Sequence, residues 1–163
     1  MKTLRVVLPI FAALLATAAF ADSNSQTSFE KLKSLQGSWT GKAGDRDIKV
    51  SFRVTSGGSA LMSEIQTEED MISMFHLDGD RLMMTHYCGA GNQPRMVGTM
   101  SPDGKTISFD FLDATNVLSS QPGHMQRLTL TLIDADHHTE NWEFMGLDFK
   151  VMQHQLFDLR RTK

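Results

Sequence analysis

The chain has one cysteine, Cys88, in 163 residues. An internal disulfide is excluded, so any fold must hold itself by its core alone. There is no excess of basic charge: 16 lysines and arginines stand against 19 acidic residues. That balance lacks the basic stripe of a nucleic-acid binder and the polybasic patch that anionic lipid attracts. No G-x-S-x-G, H-E-x-x-H or phosphate-cradling glycine loop occurs, so no motif points to an enzyme. Solenoid repeats and low-complexity tracts are also missing.

What is present begins with an address. Lys2 and Arg5 form a positive start, and Val6 to Leu15 is apolar apart from Pro9. Ala19-Phe20-Ala21 matches the small-x-small pattern before a cleavage point. Residues 1–21 thus read as a signal peptide cut before Asp22, and the expected location is periplasmic or secreted. The apolar stretch falls short of the roughly 20 residues that span a bilayer. Without the signal's two basic residues, 14 basic side chains face 19 acidic ones, a net charge of −5. The remaining 142 residues are enough for one domain with a real core.

Residues 22–26 are polar and unpatterned, and read as a flexible leader. Thr27-Ser28 then offers a helix cap, Phe29, Leu32 and Leu35 recur at helical spacing, and Gly37 ends the helix. Beyond it the rhythm becomes period two. Ile48, Val50, Phe52 and Val54 alternate with polar residues, as do Ile107, Phe109 and Phe111, and Leu128, Leu130 and Leu132. Turn chemistry separates such runs at Ser56-Gly57-Gly58, Asp78-Gly79, Pro102-Asp103-Gly104 and Asp134-Ala135-Asp136. The spacing predicts about ten strands: 37–43, 46–55, 60–67, 71–77, 80–88, 94–100, 105–112, 124–134, 138–145 and 149–160. The expected fold is all-β, a single antiparallel up-and-down barrel over 27–163 with a short N-terminal helix.

Gly37-Ser38-Trp39-Thr40-Gly41 stands at the first strand. This G-x-W pattern resembles the opening of lipocalins and the wider calycin group, and uncharacterised exported bacterial proteins built on it. The resemblance implies that Trp39 plugs the closed end of a barrel. It also implies that an arginine after the last strand, Arg160 or its neighbour Arg161, packs across the indole; Arg160 is taken as that residue. G-x-W-x-G also resembles the start of nitrobindin-like haem barrels. There the implied axial ligand is His154, in His154-Gln155-Leu156-Phe157-Asp158-Leu159-Arg160. The opposite register of that strand is equally apolar and would turn His154 outward.

Candidate binding residues concentrate in His86-Tyr87-Cys88-Gly89-Ala90-Gly91-Asn92-Gln93-Pro94-Arg95. If Asp78-Gly79 is a two-residue turn, Phe75 pairs with Leu82 and Ser73 with Met84. His86 and Cys88 then continue an inward face, with Arg95 close by to meet a carboxylate. An apolar cavity with a few polar groups is the usual small-molecule site. The alternative is a buried polar network that pins the loop through Asn92 and Gln93. His124 and Gln126 are in phase with Leu128 and would extend the interior, while Glu64 is a further candidate of unclear facing.

His86 and Cys88 share a strand face and could chelate a soft metal, but no second ligand pair completes a structural zinc site. As nucleophile and base they stand about 7 Å apart along the strand, beyond direct hydrogen-bond reach unless the strand bulges. The expected function is therefore an exported barrel holding a small apolar or amphipathic ligand, with no metal or cofactor. The alternatives are a haem barrel using His154 and a structural or interaction barrel with a filled core.

Overall fold

The computed structural model describes residues 24–67, 69–146 and 150–162. The expected signal peptide and its cleavage point lie outside the described residues.

A helix, α1 (Asn24–Lys33), leads into ten strands: β1 (Gly37–Ala43), β2 (Arg46–Thr55), β3 (Ala60–Gln66), β4 (Met71–Asp78), β5 (Arg81–Tyr87), β6 (Gln93–Met100), β7 (Thr106–Thr115), β8 (His124–Asp134), β9 (His137–Met145) and β10 (Val151–Arg161). Each strand pairs antiparallel with the next, and β1 pairs with β10 to close a barrel. The alternating sequence makes this possible, because each strand turns one apolar row inward. Closure gives every strand a partner on both sides.

The helix begins at Asn24, earlier than the Thr27-Ser28 cap, so Asn24 to Gln26 are helical rather than a free leader. Ser28 does not cap the helix start; its hydroxyl donates back to the Asn24 carbonyl at 2.6 Å. Phe29, Leu32 and Leu35 bury into the barrel core. The helix packs against β2, β4, β5 and β6 and so covers one end. The opposite end, toward which β1, β3, β5, β7 and β9 run, is the mouth.

The G-x-W-x-G run now has a physical reason. Gly37 sits at φ +129°, a conformation L side chains rarely adopt. At Gly41 a Cβ would stand 1.7 Å from the Asp158 carbonyl oxygen, so only glycine lets β10 approach. Trp39 is buried between them, its indole N–H donating to the Leu35 carbonyl at 2.8 Å.

Arg161 covers Trp39, with its guanidinium carbon 4.2 Å from the ring centre. Arg160 does not take that role. Phe157, Leu159 and Arg161 are in phase, Trp39 stands opposite Arg161 in register, and Arg160 is exposed. Arg161 also donates to the Gln36 and Ser34 carbonyls, tying β10 to the end of the helix region.

The β4–β5 turn is Gly79-Asp80 rather than Asp78-Gly79. Phe75 therefore pairs with Met84, and Ser73 with His86. The slip is two residues, so the inward face expected for β5 is kept.

Candidate functional site

The mouth holds a pocket of about 550 Å³. Ala43, Ile48, Met71 and Phe157 form its apolar walls and floor, and Arg46, Asp47, Gln66, Thr67, Glu69 and Gln155 supply polar atoms around them. Turn-flanking residues on β1–β2 and β3–β4 meet β10 here, because the inward apolar rows end at the mouth while the loops are polar. Lys42 pairs with Asp47 at 2.7 Å and holds that carboxyl below its usual range.

Below the mouth the inward side chains are buried, and several of them are polar. Ser63 stands opposite Phe52 and Ser73, and Ser73 opposite His86. All are buried. The Ser73 hydroxyl and His86 Nδ1 are 2.9 Å apart. The His86 ring lies 4.8 Å from the Trp142 ring, centre to centre. Trp142 Nε1 donates to Glu140 Oε2 at 3.0 Å, and Glu140 Oε1 meets His138 Nε2 at 3.2 Å. His138 packs edge-on to Trp39 at 4.3 Å and against Phe52 at 5.7 Å. Phe52, Ser63, Ser73, His86, Trp142, Glu140 and His138 thus form a belt around the inner wall.

Burial pushes the His86 imidazole down to a pKa of about 4, so it is neutral near pH 7. Its Nε2 is buried without a hydrogen-bond partner, as is His138 Nδ1. No cluster of three or more metal-ligating side chains occurs among the described residues.

The residues expected from the sequence separate. His86 is inward and buried. Cys88 lies just past β5, half-buried, with its N–H bonded to the Asn92 carbonyl. Burial pushes its thiol pKa up, and the Glu69 carboxylate adds to this against a bond from the Ala90 N–H. Cys88 is therefore a protonated thiol near neutrality rather than an activated nucleophile.

Arg95 is not in the interior. It is exposed, and it grips Asp113 with Nε to Oδ1 at 2.6 Å and a second bond from Nη2 to Oδ2. Asp113 is already its carboxylate partner. A bulge in β8 between Met125 and Arg127 breaks the expected phase. Met125 therefore packs on the core in line with Leu128, and Gln126 sits half-buried at the bulge. His124 is buried differently, with its ring 4.3 Å from Phe111 and its Nδ1 3.0 Å from the Pro122 carbonyl oxygen. Glu64 is half-buried between buried Ser63 and Ile65, on the outer face. His154 is exposed on β10, because Phe157 and Leu159 set the inward phase. It cannot reach a group held inside the barrel.

The polar bonds of the 88–95 loop pin it instead. Asn92 Nδ2 donates to the Gly123 carbonyl at 2.7 Å, Asn116 Nδ2 to that of Gly91 at 2.7 Å, and Thr115 to Gln93 Oε1 at 2.8 Å.

Sequence reasoning missed Ser63, Ser73, His138, Glu140 and Trp142. The available signal was phase: Ser63 alternates with Leu61 and Ile65, and Ser73 with Phe75, at inward positions. Polarity at those positions hid it.

No protein-family model matches the chain, and no curated protein matches it. Solved structures do. The crystal structure of Rv2717c from M. tuberculosis is similar, with a TM-score of 0.55 over 83% of this chain and 98% of that one, at 17% identity. At that identity the likeness establishes a shared barrel fold.

Proposed function

We propose that the protein is an exported β-barrel that takes a small apolar or amphipathic molecule at its open end. The observation that carries this reading is the mouth pocket of about 550 Å³, with an apolar floor and a polar rim. That volume lies within the roughly 300–1,000 Å³ of small-molecule sites. The ligand position differs from the sequence expectation: the mouth beside Ala43, Met71 and Phe157, not the loop from Cys88 to Arg95. Export is supported by the signal-like first 21 residues, and N-terminal sequencing of the secreted or periplasmic protein tests it.

A neutral apolar dye, N-phenylnaphthylamine, tests the pocket. Saturable one-to-one fluorescence enhancement is expected. Ala43→Trp, which fills the pocket from a buried inward position, is expected to abolish it while leaving the β-sheet circular dichroism signal. Absence of saturable binding to the unsubstituted protein overturns the reading. It would favour the structural barrel without ligand.

A further inference from the structure

We infer that the ligand is a neutral amphiphile whose hydroxyl head is received by Ser63, Ser73 and His86 beneath the mouth pocket. The inference rests on the mouth-pocket reading and names the ligand class it implies.

Inward positions on β4 run Met71, Ser73, Phe75, and on β3 Ile65, Ser63, Leu61. Ile65 pairs with Met71, and Ser63 with Ser73. The serine pair therefore lies one inward step below the pocket floor, about 7 Å along the strands. Met71 is that floor, only half-buried. Its unbranched thioether side chain is pliable, and it must swing aside for the head to reach the serines.

The head group follows from what the interior offers. His86 Nε2 is buried and has no partner, a condition native interiors rarely leave standing. With the Ser73 hydroxyl donating to Nδ1, the neutral ring carries its proton on Nε2 and offers it as a donor. A hydroxyl both accepts and donates, so it can meet the imidazole and a serine together. Charged heads fit poorly. No lysine or arginine is buried among the described residues, so a carboxylate head would find no cation. An ammonium head has no lone pair with which to accept the His86 Nε2 proton, so that group would stay unpartnered.

The test uses the full mature chain at pH 7 with 1-decanol, its methyl ether, decanoate and decylammonium. Binding is followed by calorimetry and by tryptophan fluorescence, since Trp142 lies against His86. The alcohol is expected to bind roughly tenfold tighter than the ether and both ions, the scale of one or two neutral hydrogen bonds. His86→Phe is expected to reduce the preference for alcohol over ether to below about twofold. Ser73→Ala, a smaller change, carries the same test if His86→Phe does not fold. Decanoate or ether binding as tightly as the alcohol overturns the inference and leaves the pocket reading standing. Failure of all four probes, with no dye binding either, removes both.

Discussion

His86 shows how a single buried side chain can set a pH limit on a fold. An imidazole ordinarily takes its proton near pH 6.5, but burial moves this one to about 4. Between those values the unfolded chain binds a proton that the folded chain refuses, so stability falls as pH drops through that window. The loss from His86 is expected to be on the order of 3 kcal/mol between pH 7 and pH 4. Denaturant unfolding at pH 7, 5.5 and 4 measures it, with His86→Leu as the comparison. The variant should show a shallower decline over the same range, whatever its stability at pH 7. Equal declines in the two proteins would mean that His86 titrates normally.

Two arginines at the chain's end differ by one position and by everything that matters. Arg161 lies over Trp39 and bonds the backbone carbonyls of Ser34, Gln36 and Ala135, whereas Arg160 faces water. Arg161→Ala is expected to cost about 2 kcal/mol through the lost ring contact and hydrogen bonds. Arg160→Ala should stay within about 0.5 kcal/mol. Thermal and denaturant unfolding of the pair decides this; comparable losses would show that the Trp39 contact contributes little.

At the scale of elements, the closing pair β1–β10 depends on the missing side chain at Gly41. Gly41→Ala would drive a methyl into the Asp158 carbonyl. A loss of about 2 kcal/mol or more is expected, because backbone on both sides must move. Gly44→Ala, at a turn with open space and φ +63°, provides a contrast: strain without collision, expected near 1 kcal/mol. If Gly41→Ala is the milder of the two in denaturant unfolding, β10 is free to retreat. Strand extents were largely legible here, since alternation and turn residues mark them locally. Facing was less legible. On β10 both faces carry apolar residues, so His154 could not be assigned outward until Phe157 and Leu159 were seen buried. On β8 a bulge at Gln126 reset the phase, and nothing in His124-Met125-Gln126 announces a bulge.

Across the whole molecule, the barrel wall is not uniform. Between β7 and β8 the ladder ends at Asp110 opposite Arg127, while β6–β7 pairing continues to Thr115 and β8–β9 pairing to His124. The resulting gap is spanned by the Phe111–His124 ring contact and the Asn92–Gly123 bond. Amides at Leu112 and Gln126 are expected to exchange hydrogen at least about tenfold faster than those at Phe109 and Leu128, since local opening there breaks fewer ladder bonds. Residue-resolved hydrogen exchange checks this. Asn92→Ala should widen the difference, and uniform protection along β7 and β8 would show that the seam is held as tightly as the ladder.

The sequence by itself determined that the chain builds ten amphipathic strands and a short helix. Period-two alternation and turn chemistry are local properties, readable a few residues at a time. It also determined that no disulfide joins them, since only Cys88 is present. Only the tertiary structure decided which polar residues face the interior. His138 and Glu140 read as ordinary strand polars until the barrel closes and sets them between Trp39 and Trp142. The same closure decided between Arg160 and Arg161, turned Arg95 outward to Asp113, and left the pocket at the mouth. Each of these outcomes depends on register between strands far apart in the chain, which alternation within a single strand does not encode.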